Sequence, residues 1–65
     1  MPFIIDGNIK KMREAQGLSV QELAERSSLD VFEVQAFEGG LEVIFADELV
    51  RIATALGLED PEQLL

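Results

Sequence analysis

Sixty-five residues leave room for one small domain with one core, and the absence of Cys and His removes disulfides, thiol chemistry and the usual nitrogen and sulfur ligands of zinc or copper. Thirteen acidic against five basic side chains give a formal net charge of -8, which repels polyanions at long range. The longest apolar run, Val43 to Ala46, is far short of the roughly 20 residues of a membrane span, and the N-terminus lacks a basic signal-peptide start, so a cytoplasmic chain is expected.

Apolar residues recur at helical spacing, and Gly or Asp punctuation arrives about every dozen residues, which predicts several short helices and no persistent strand. After a loose segment over residues 1–5, a first helix is expected from about Asp6 to Gln16, with Ile9 and Met12 on one face and Gly17 as a left-handed end. Ser19-Val20-Gln21-Glu22 is a capping box with Leu18 and Leu23 as its staple, and it starts a second helix that runs to about Ser27. Asp30-Val31-Phe32-Glu33 repeats the arrangement with Leu29 and Val34, so a third helix begins a few residues later and ends at Gly39 and Gly40. Ala46 to Leu56 reads as a fourth helix with Leu49, Ile52, Ala53 and Leu56 inward, closed by Gly57. Asp60 caps a short fifth helix, with Pro61 at its first position and Gln63 completing a third box. The whole of 1–65 is expected to form one all-α domain.

Two short helices joined by a tight turn inside an all-α domain of this length are the helix-turn-helix arrangement. The chain resembles the lambda-repressor-like (Cro/repressor, XRE-type) family from about Ile9 to Leu65. The residues that carry the resemblance are Ile9, Arg13, Gly17-Leu18-Ser19, Glu22-Leu23-Ala24, Val34, Phe37-Glu38, Gly40, Leu49, Ala53, Leu56-Gly57 and Leu64-Leu65. The resemblance implies five short helices, a DNA-binding function, and a structural pair between Arg13 of helix one and Glu38 at the end of helix three.

The departures fall on the ligand-facing side. Where the family begins its second helix with a phosphate-gripping glutamine, this chain has Val20; where the third helix presents polar or basic side chains to base edges, it has Val31 and Phe32. After the glycine the family tends to carry basic residues, a proline and a Ser or Thr cap, whereas this chain has Leu41, Glu42, Val43, Ile44 and Phe45. From Ser27 to Val50 there is no Lys or Arg and there are six carboxylates, and the basic residues elsewhere are scattered.

Apolar residues rimmed by charge on a small domain usually mark a protein interface. The reading favoured by the residues is therefore a protein-binding module on a helix-turn-helix scaffold, an engineered binder or a diverged interaction domain. Its contacts would be Val31, Phe32, Gln35, Leu41, Val43, Ile44 and Phe45, with Phe32 and Phe45 as anchors. The partner would be another protein of basic character or a second copy of the chain. The alternative is a DNA-binding transcriptional regulator of the Cro/repressor type, with Gln21, Asp30, Val31, Phe32 and Gln35 nearest the bases. Nucleic acid is disfavoured by charge in that reading, and thymine methyls are what Val31 or Phe32 could touch.

No enzyme is expected. Ser19, Ser27 and Ser28 have no His to activate them, Glu59, Asp60 and Glu62 suit a helix N-terminus, and no calcium loop or other metal or cofactor site is expected. Glu22 and Arg26, four apart on helix two, read as a solvated pair.

Overall fold

A computed structural model describes Phe3, Ile5 and residues 7–65. The described residues form four α-helices, α1 (Asn8–Ala15), α2 (Val20–Ser27), α3 (Val31–Glu38) and α4 (Ala46–Ala55), followed by a 3₁₀ turn over Pro61–Leu64. The expected fifth helix is thus a single 3₁₀ turn. Four residues suffice to bury Leu64, which is fully enclosed, but not to close α-type hydrogen bonds.

Each helix starts and stops for a local reason. α1 follows Gly7, whose φ of 86° lies in the left-handed region, and has no side-chain cap; the expected start at Asp6 lies outside the described residues. It ends as Gly17, at φ 70°, turns the chain so that Leu18 N donates to Arg13 O at 3.1 Å. At α2 the capping box is complete: Glu22 N donates to Ser19 Oγ and Ser19 N donates to a Glu22 carboxylate oxygen, both at 3.0 Å. At α3 the expected box does not form: Asp30 Oδ1 accepts from Phe32 N at 2.8 Å, one residue short of Glu33, and no bond returns from Glu33. The α2–α3 turn places Ser28 at φ 58°, a left-handed conformation that L residues adopt at a cost.

The core takes one or more residues from every element: Ile9, Leu18, Leu23, Ala24, Val34, Phe37, Leu49, Ile52, Ala53, Leu56 and Leu64 are buried. Ile5 and Ile44 join them. The N-terminal segment is therefore anchored at two points rather than loose. Phe3 and Ile44 exchange both backbone hydrogen bonds, at 2.8 and 2.7 Å, in an isolated antiparallel bridge, and Ile5 is 3% exposed. Met1, Pro2 and Ile4 of that segment lie outside the described residues.

Two side-chain amides, one at each end of α1, tie that helix to the C-terminal part of the fold. Asn8 Nδ2 donates to the carbonyls of Leu64 and Leu65 at 3.0 and 3.2 Å, and Gln16 Nε2 donates to Leu56 O at 2.6 Å, which satisfies carbonyls that the ends of the 3₁₀ turn and α4 would leave orphaned.

Candidate nucleic-acid interface

α3 is fixed on its inner side and bare on its outer side. Val34 and Phe37 bury one face, and the Arg13–Glu38 pair clamps the helix end to α1. Arg13 Nε donates to Glu38 Oε2 at 2.7 Å and its Nη2 to Oε1 at 3.1 Å, while Nη1 donates to Leu18 O at 2.8 Å. The guanidinium thus serves α1, the loop and α3 at once. The hydrogen bond to Glu38 raises the pKa of Arg13 further above its already high value. The pairing implied by the resemblance is present.

The outer side carries Phe32, which is 75% exposed, and the exposed Gln35, with Val31 and Ala36 half-buried on either flank. Phe32 stands three residues from Gln35 and four from Ala36, so one stripe of the helix presents all three. Val31 contributes less than expected because it packs partly against the core. Asp30 and Gln21 are exposed at the starts of α3 and α2, and Val20, where the family's glutamine would stand, is half-buried against the core.

The loop from α3 to α4 turns one side chain inward and leaves its neighbours out. Leu41, Val43 and Phe45 are exposed, whereas Ile44 is 1% exposed. Ile44 was expected as a contact residue and is corrected to a core residue. Its bridge to Phe3 makes the backbone locally extended, so successive side chains point to opposite sides and the middle one is driven inward. Phe45 occupies the N-cap of α4 without a side-chain acceptor, and the cap region is served only by Glu48 Oε1, which accepts from Phe45 N at 3.1 Å.

One grouping was not legible in the sequence. Arg26 and Arg51, 25 positions apart, line a single open cleft of about 410 Å³ between α2 and α4, together with Ser27, Ser28, Val50 and Thr54. Neither arginine belongs to an ion pair among the described residues. Periodicity within each helix gives no hint of this meeting, which depends on how α2 crosses α4.

Residues 8–65 match the family described as helix-turn-helix domain. The chain belongs to that family. The helix-turn-helix domain is also similar to the crystal structure of the restriction-modification controller protein C.AhdI from Aeromonas hydrophila, with a TM-score of 0.85 and 33% identity over 89% of this chain and 86% of that one. No curated protein matches it. These findings overturn the expectation of a protein-binding module, engineered or diverged. The chain's framework follows that of the controller protein over most of both chains, and its apolar stripe lies on the second helix of the helix-turn-helix. Exposed apolar residues beside carboxylates do not by themselves identify a protein partner. Among the described residues no helix is long and apolar enough to cross a membrane.

Proposed function

We propose that this helix-turn-helix domain is a DNA-binding transcriptional regulator of the Cro/repressor type, a binding protein rather than an enzyme, acting in the cytoplasm. The observation that carries the reading is its 33% identity, over nearly the whole of both chains, to a restriction-modification controller protein. The local geometry supports it. α3 has eight residues with an exposed outer face, and an α-helix with its side chains is about 10–12 Å across, which a major groove about 12 Å wide admits.

The charge distribution sets the expected behaviour. With no cation between residues 27 and 50, charged phosphate contacts must come from outside α3 and its following loop, and Arg26 and Arg51 are a pair of cations that the fold groups in one cleft. Each phosphate neutralised adds about 0.9 to the slope of log affinity against log salt, so a slope near 2 is expected rather than the larger values of strongly basic readers.

The test is enrichment of duplexes from a random-sequence pool, followed by fluorescence anisotropy across a salt series. Saturable binding of enriched over scrambled duplex, weakening with salt, supports the reading. No enrichment and no binding at about 50 mM salt, where phosphate contacts are strongest, overturns it.

A further inference from the structure

We infer that the helix-turn-helix domain reads the 5-methyl groups of thymine through an apolar stripe on α3, and that its sites are defined by A·T pairs rather than by guanine. The inference rests on the DNA-binding reading above and adds what is read.

The chemistry of the exposed stripe decides the class of base. Guanine is most often recognised through bidentate hydrogen bonds from Arg or Lys to O6 and N7, and α3 has neither residue. Thymine alone among the bases of unmodified DNA presents a methyl group in the major groove, and its recognition is by apolar contact. Phe32 is the most exposed residue of that kind on α3, and Val31 and Ala36 extend the apolar surface on either side of it.

The stripe is held rigid enough to discriminate. Asp30 fixes the first turn by accepting from Phe32 N, Val34 and Phe37 lock the inner face, and Arg13 ties down the far end through Glu38. Gln35, three residues beyond Phe32, is the one amide on the helix, and amides of this kind bond adenine N6 and N7, the partner base of thymine. Asp30 already accepts from Phe32 N, and the Glu33 carboxylate offers only acceptors, which suit an amino group (adenine N6 or cytosine N4) and not guanine O6 or N7.

The experiment compares enriched duplexes synthesised with thymine and with deoxyuridine. The two differ only by the methyl group and pair identically. For the wild type, replacing all thymines in the enriched site should weaken binding about fourfold per methyl contacted, the value of burying one methyl-sized group. Phe32→Ala, checked for retained helical content by circular dichroism, should bind the two duplexes within a factor of two of each other. Equal binding of both duplexes by the wild type, or enrichment of sites dominated by guanine contacts, overturns the inference while leaving the DNA-binding reading in place. Failure to enrich any duplex overturns the DNA-binding reading itself, and this inference with it.

Discussion

Arg13 on α1 grips Glu38 at the end of α3 through two of its nitrogens and gives the third to the carbonyl of Leu18. Both side chains are largely buried, 13% and 9% exposed, so their charges are shielded from solvent that could replace a lost partner. The pair ties the last residue of α3 to α1 and to the loop that follows α1.

Removing one member should therefore cost more than removing both. Arg13→Ala leaves the part-buried Glu38 carboxylate without its partner and is expected to destabilise the domain by about 1–3 kcal/mol; Arg13→Ala with Glu38→Ala should lose less, because no lone charge remains. Urea denaturation of the two single variants and the double closes the cycle. Purely additive losses would mean that the pair is only two independent surface charges.

The loop after α3 makes a second prediction by contrast. Ile44→Ala removes a side chain that is 1% exposed and should cost about 2–5 kcal/mol, in the range of large-to-small core changes. Leu41→Ala, at a residue 82% exposed, should stay within about 0.5 kcal/mol of the wild type. Thermal melts of both variants suffice. Similar losses at the two positions would contradict the inward turn imposed by the Phe3 bridge.

That contrast also marks what the sequence could carry. Caps are local, so Ser19 with Glu22 and Asp30 before α3 were legible, as was the Arg13–Glu38 pair once the family frame was laid over the chain. Ile44 was not, because its direction is set by Phe3, 41 positions away, through a single bridge that periodicity does not reveal. The meeting of Arg26 and Arg51 was hidden for the same reason. Function was misread because exposed apolar residues on α3 fit both a protein surface and the methyl groups of DNA, and composition alone cannot choose between them.

Phe45 offers a stabilising change. It stands at the N-cap of α4 with no acceptor to offer, and Glu48 already supplies the reciprocal half of a capping box. Phe45→Ser adds the missing acceptor and should stabilise the domain by about 1 kcal/mol, which in a chain this short raises Tm by about 4–8 °C. Differential scanning calorimetry reads this directly. An unchanged or lower Tm would show that the half-exposed ring contributes more by packing than the cap would.

Ser28 is the matching case at the α2–α3 turn. Its φ of 58° is unfavourable for a residue with a Cβ, and no hydrogen bond of its side chain is seen to compensate among the described residues. Ser28→Gly relieves that strain, offset in part by the greater freedom of glycine in the unfolded chain, so a net gain of about 0.5–1 kcal/mol is expected. Chemical denaturation measures it, and a net loss would place the cost of the unfolded chain above the strain.

Acid should loosen the start of α2. Hydrogen bonds from the backbone and then the side chain of Ser19 hold the Glu22 carboxyl below its ordinary value of 4.5. The folded state thus favours the charged form. The stabilisation it brings is fully present above the unfolded pKa and is lost as pH falls through the lower, folded one, because the unfolded chain takes up the proton first. Glu22→Gln keeps an oxygen for Ser19 N but cannot titrate. Its urea midpoint should therefore fall less steeply than that of the wild type between about pH 5 and pH 3. A carboxyl-detected NMR titration supplies the direct check. A Glu22 midpoint at or above 4.5 would remove the capping box as a source of acid sensitivity.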